Sequence, residues 1–261
     1  MNLIRAARMI GTALAIVARA VAPAGKPKAS NSVPSDLPMA RVSGGIPFLL
    51  KIAYTAFVAF LAPVYARRYG AANFLWFSNI GLLGGLAGVW SGSRWLASSQ
   101  AVSLSFSEFI WILDFAFAQM LRHSPTGITA YMLDRKIPRF IRALSLYHLV
   151  LPFLLLWLAY RVGYERRAWI AQTLLAWAVL LIAYRFTSPE RNINLVWGPG
   201  ASPQRKVPPL LYLAIEMAVW PAVVYFPSHL MLTKLYTHLD RLAQPLRQSL
   251  TASHFDQQIS R

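Results

Sequence analysis

The chain contains no cysteine and only nine acidic residues among 261. Without cysteine there is no disulfide framework, no thiolate zinc site and no thiol nucleophile. Charge as a whole is scarce. Only 13% of residues are charged, against about 25% in a typical soluble domain. The spacing HExxH, which would suggest a zinc hydrolase, is missing, and no internal repeat is visible. Neither a metal nor an organic cofactor is expected.

What is present is apolar and basic. Hydrophobic residues make up 56% of the chain, and 26 Lys and Arg give a net charge of +17. The long apolar runs argue against a soluble enzyme. They also argue against a nucleic-acid binder, which needs its basic faces in water. Crossing a hydrocarbon core of about 30 Å takes about 20 mostly apolar residues. Six segments meet that need, at about 46–65, 73–90, 101–121, 143–162, 168–186 and 209–232. They lack the strict alternation and short length of barrel strands. In lipid the backbone must satisfy its own hydrogen bonds, so each run predicts a helix. The expected fold is an all-α, six-helix transmembrane bundle over residues 46–232.

Residues 1–22 carry a ten-residue apolar stretch, Met9 to Ala18, flanked by Arg5, Arg8 and Arg19. It is too short to span. It reads as a basic amphipathic helix on the membrane surface, with a signal-peptide core as the alternative. Residues 23–45 read as a linker rich in Pro, Ser, Gly and Lys. Residues 233–261 read as a polar tail, with a short amphipathic helix interrupted at Pro245. Six crossings put both termini on one side. Lys and Arg divide 14 to 11 between the two sides, which leans only weakly towards termini inside.

Three of the nine acids fall in spanning segments: Glu108, Asp114 and Glu216. Burying an ionisable group there costs about 2.5–3.5 kcal/mol on insertion scales, so each should have a partner or a task. Glu108 and Asp114 stand six apart on one helix, about 120° around its axis. His148 precedes Pro152, which leaves the carbonyl of residue 148 without its helical donor. Ser78 shares a helix face with Gly81, Gly85 and Gly88, a spacing that lets helices approach closely. The alternative for Ser78 is a hydroxyl bonded to its own helix carbonyl. Pro221 interrupts the last span after Glu216, and His229 reads as an interfacial histidine. Residues 187–208 read as a structured connection with turn formers around Gly198 and Gly200.

The stretches NFLWFSNIGLL (73–83), LSLYHLVLPFLLLWLAYRVGYERRA (144–168) and SPERNINLVWGPG (188–200) resemble a group of uncharacterised bacterial integral membrane proteins. That likeness implies a bacterial cytoplasmic membrane and gives no activity. A more distant one is to the six-helix family of androgen-induced fatty-ester hydrolases and acyltransferase-like membrane proteins. There a Thr or Cys nucleophile on one helix works with a His on another. His148 corresponds to that histidine. The nucleophile slot falls on Ser78 if Asn79 replaces the Asp that follows Cys in some members. Against the Thr-bearing members it falls nearer Trp76, which cannot attack a carbonyl.

The resemblance implies lipid ester hydrolysis or acyl transfer. Ser78 would attack, His148 would act as base, Asn79 would orient a group or stabilise the oxyanion, and Glu108 or Asp114 would orient His148. Two other readings stay open. One is a proton-coupled small-solute transporter using Glu108, Asp114, Glu216 and His148. The other is a non-catalytic scaffold with a buried polar network. Membrane lipids are the expected partners, nucleic acid is not, and homo-oligomerisation is left open.

Overall fold

The computed structural model describes residues 45–200 and 202–259, with side chains through residue 244. The surface helix and linker expected over residues 1–22 and 23–45 lie outside the described residues, apart from Gly45. The described chain is helical, with no strand. Helix α1 runs Phe48–Tyr69, α2 Phe77–Ser91 and α3 Arg94–Leu121. Helix α4, Arg139–Leu144, leads directly into α5, Tyr147–Val162, and α6 follows at Ala168–Phe186. The last segment begins as α7, Pro209–Val219, and passes through a π-helical turn at Trp220–Tyr225. It continues as α8, Phe226–Ile259, across Pro245, where the sequence predicted a break.

Among the described residues, five helical stretches are long and apolar enough to cross a membrane: Phe48–Tyr69, Arg94–Leu121, Arg139–Val162, Ala168–Phe186 and Pro209–Gln244. The protein is therefore a polytopic helical membrane protein. The segment expected at 73–90 differs. Its first residues form a 3₁₀ turn, Ala71–Leu75, and Trp76 is extended. Only the 15 residues of α2 are α-helical, about 22 Å long at 1.5 Å per residue.

Helix α3 is the hub, in contact with α2, α5, α6, the π-turn and α8. Its inward residues include Ser103, Glu108, Trp111 and Asp114, while Phe106, Ile110, Leu113 and Phe117 form an exposed apolar stripe. That distribution suits a helix with lipid on one side and protein on the other. Helix α2 sits close against its neighbours because of its glycines. A Cβ on Gly81 would come within 2.2 Å of Leu104 Cδ1 on α3. One on Gly85 would meet Tyr54 Oη of α1 at 2.7 Å and Leu155 Cδ2 of α5 at 2.8 Å. The small-residue face thus locks α2 into the bundle from three sides.

The connection 187–208 is structured and docks on the start of α2. Asn194 accepts from the Phe77 N–H at 3.0 Å and donates to the Leu75 carbonyl at 2.7 Å. Asn192 ties the loop to itself through Gly198 O, Gly200 O and the Trp197 N–H. Both asparagines have positive φ, 39° and 52°, a region that Asn tolerates better than most residues.

Candidate functional site

His148 lies in the first turn of α5, and Glu108 lies midway along α3. The two helices pack so that His148 Nδ1 is 2.7 Å from Glu108 Oε2. Glu108 is 3% exposed and His148 9%. An ionised carboxylate can only accept, so in the neutral imidazole Nδ1 carries the proton and Nε2 is the basic nitrogen. Nε2 has no hydrogen-bond partner among the described residues.

The imidazole is held from both faces. Trp111 stacks on it with centroids 4.6 Å apart and planes at 18°, and Tyr147 stacks at 4.2 Å and 24°. Trp111 follows Glu108 by three residues on α3, so one helix face supplies both the carboxylate and one ring. Phe115 stacks behind Trp111, and Phe57 meets Tyr147 edge-on. The ring's tilt and rotation are thereby set by packing as well as by the hydrogen bond.

Hydroxyls surround this pair. The Tyr147 O–H donates to Asn79 Oδ1 at 3.2 Å, and the Asn79 amide donates to the Asn73 carbonyl at 2.9 Å. The Ser78 hydroxyl also lies beside the Tyr147 hydroxyl. Ser78 makes no bond to its own helix carbonyl, unlike Thr55, Ser91, Ser107 and Thr173, which each bond four residues back. Nor does it hydrogen-bond His148, whose side-chain hydrogen bond is to Glu108. On another side, Tyr65 and Ser145 share a hydrogen bond of 2.8 Å. The Tyr131 hydroxyl, from the loop after α3, lies beside Ser145 and the Trp111 indole and within the field of Glu108. Burial pushes the Tyr131 phenol pKa well up, so it stays protonated.

Asp114 is placed elsewhere. Its carboxylate accepts from the Ser124 and Thr129 hydroxyls, from Thr126 Oγ1 at 2.9 Å, and from the Thr126 and Thr129 N–H groups at 2.8 and 3.1 Å. It staples the loop 122–138 to α3 and has no hydrogen bond to His148. Glu216 accepts from the Tyr212 hydroxyl at 2.7 Å on α7, apart from the Glu108–His148 pair. His229 pairs with Tyr164 at 3.0 Å. Among the described residues, no three of His, Asp and Glu gather as metal ligands.

Of the residues the sequence nominates, Glu108, His148, Asn79 and Ser78 gather around Tyr147, and Asp114 does not join them. Sequence reading missed Trp111, Tyr131, Tyr147 and Tyr65. Trp111 carried a usable signal, its three-residue offset from Glu108. Tyr131 and Tyr65 carried none, because only folding brings them near Ser145.

The fold and this site define a class: a helical membrane protein with a buried carboxylate–imidazole pair. Compared with known proteins, the chain matches no family profile, no curated protein and no solved structure.

Proposed function

We propose that this protein is an intramembrane hydrolase or acyltransferase acting on lipid esters, with the Glu108–His148 pair as its general base. One observation carries the reading: a buried 2.7 Å carboxylate–imidazole contact whose ring is clamped and whose second nitrogen has no hydrogen-bond partner among the described residues. A base oriented by a third group, with its other nitrogen open to a reacting hydroxyl, is the arrangement that acyl transfer requires.

In this mechanism Ser78 Oγ attacks the ester carbonyl carbon while His148 Nε2 takes its proton. Collapse of the tetrahedral intermediate breaks the ester C–O bond, and His148 returns the proton to the leaving alcohol. Water, or an acceptor alcohol, then attacks the acyl-serine. His148 takes the proton from that nucleophile and gives it to Ser78 Oγ as the acyl group departs. Glu108 keeps the imidazole in one tautomer. Asn79 holds Tyr147 and thereby the second face of the ring. Its bond to Asn73 leaves one amide hydrogen for an oxyanion. Asp114 keeps the loop bearing Tyr131 in place.

The setting we propose is a bacterial cytoplasmic membrane, with lipids as partners and six crossings. The 3₁₀ turn and α2 together make the second crossing, shortened because α2 is packed in protein on three sides. The test is turnover of fluorescent phospholipid and acylglycerol esters by the full chain in nanodiscs, with fluorophosphonate labelling read by peptide mass spectrometry. Expected are turnover, a label on Ser78, and loss of both in His148→Ala. Full turnover in Ser78→Ala would remove Ser78 from the mechanism, and full turnover in His148→Ala would overturn the reading.

A second reading, proton-coupled solute transport, draws on the hydroxyls of Tyr65, Ser145 and Tyr131, the last of which lies within the field of Glu108. It predicts proton-driven uptake in proteoliposomes that Glu108→Gln abolishes, without ester turnover.

A further inference from the structure

A second polar group lies away from the Glu108–His148 pair, where α3, α6 and the π-turn meet. Gln172 of α6 donates through Nε2 to Ser103 Oγ of α3 at 2.9 Å. Tyr225, the last residue of the π-turn, sits on the segment that packs against both α3 and α6. Gln172 and Tyr225 are fully buried, and Ser103 is 2% exposed. Gln172 Oε1 and Tyr225 Oη have no hydrogen-bond partner among the described residues. Ser228, one turn further on and also fully buried, adds another unpaired hydroxyl.

Buried polar atoms in native proteins are nearly all satisfied, and an unsatisfied group marks a place for an ordered water or ion. In a spanning segment the requirement is stronger, because no bulk water reaches the group. The local backbone is unusual as well. Pro221 cannot donate to the Met217 carbonyl, and the Trp177 indole takes that carbonyl at 2.7 Å. The segment therefore meets its backbone demand from a neighbour and still leaves Tyr225 and Gln172 unmet. Single π-helical turns within α-helices are frequent at functional sites.

We infer that Ser103, Gln172 and Tyr225 form an internal water-binding site between α3, α6 and the π-turn. Gln172 Oε1 only accepts, while Tyr225 Oη both donates and accepts, and a single water can donate to the first and accept from or donate to the second, leaving neither atom unpaired. None of the three side chains carries a charge to balance a cation. The nearby carboxylate, Glu216, is engaged by Tyr212. This site stands independently of ester chemistry.

X-ray radiolytic labelling in H₂¹⁸O, read by mass spectrometry on the full chain in nanodiscs, tests it. Water held against a buried side chain generates hydroxyl radicals there, so the side chain is oxidised although bulk solvent cannot reach it. Tyr236 is the internal standard. It is equally buried, and its hydroxyl already donates to the Leu156 carbonyl at 2.9 Å. Expected is ¹⁸O incorporation at Tyr225 several-fold faster than at Tyr236. In Gln172→Leu the Tyr225 rate should fall towards that of Tyr236, whose own rate stays constant as the check on folding. Tyr225 labelled no faster than Tyr236 in the unaltered chain overturns the inference, whatever the variant does. An undiminished Tyr225 rate in folded Gln172→Leu overturns it too.

Discussion

Glu108 Oε2 and His148 Nδ1 are 2.7 Å apart in a part of the bundle where both side chains are almost wholly buried. They are 40 residues apart in the chain, on helices that pack along much of their length. A pair so placed is held by geometry more than by net energy. Its attraction largely offsets the desolvation of the two groups. Removing one partner is therefore much worse than replacing both.

This asymmetry yields the first prediction. His148→Ala should lower stability by about 3–5 kcal/mol by leaving Glu108 buried and unpaired. The double variant Glu108→Gln/His148→Ala should lose less than the sum of the single losses. Unfolding followed in detergent by intrinsic tryptophan fluorescence measures the cycle. Strict additivity would show that the contact carries no coupling.

For catalysis, Glu108→Gln should reduce ester turnover by about 10²–10⁴-fold, the range of general acid–base contributions. The loss should appear in kcat with KM little changed, since Glu108 orients the base and does not bind substrate. Asp114→Asn should leave kcat within about tenfold, because its partners are the loop residues Ser124, Thr126 and Thr129.

Asp114→Ala should instead free the loop 122–138. Hydrogen bonds to a charged group contribute about 1.5–3 kcal/mol each and are not additive. A total loss of several kcal/mol in local stability is expected. Hydrogen exchange across residues 122–138 should accelerate while α5 stays protected. Unchanged exchange in that loop would remove the staple role.

The glycine face of α2 makes a sharper contrast. Gly85→Ala should cost about 1–3 kcal/mol through overpacking. Tyr54, which its Cβ would strike, is pinned by a 2.6 Å bond to the Leu82 carbonyl and cannot yield easily. Gly88→Ala meets nothing nearer than 3.4 Å. It should be neutral or gain up to about 1 kcal/mol from helix propensity. Equal melting temperatures for the two variants would mean that α2 is not held as described.

Asn194→Ala removes both the acceptor for the Phe77 N–H and the donor to Leu75 O. The loss should be about 1–2 kcal/mol, comparable to that of a helix N-cap. Asn194→Asp keeps the acceptor and should recover part of it. Thermal unfolding of the three proteins orders them. Asn194→Asp no better than Asn194→Ala would show that the cap to α2 contributes nothing.

Much of the architecture was legible in residue order. Apolar length is a local property, and five of the six runs expected to span emerge as helices long enough to do so. The expected segment at 73–90 does not emerge as one continuous helix, because hydropathy does not see backbone geometry. Phe74 and Leu75 are apolar enough to join the run, yet they belong to a 3₁₀ turn whose Leu75 carbonyl is held by Asn194, from a loop more than a hundred residues away. Pro245 had the opposite fate: a single missing donor did not end α8.

The amino-acid sequence by itself determined that this chain is helical, lies in a membrane and buries acids where they are costly, because solvent preference belongs to each residue. Which acid matters to which histidine was decided only by tertiary structure. Glu108 and Asp114 differ by about 120° around one helix. The packing of α5 against α3 gave Glu108 to His148, while the loop that follows α3 turned back and took Asp114. Periodicity can place a side chain on a face of its helix, but what that face meets depends on the rest of the bundle.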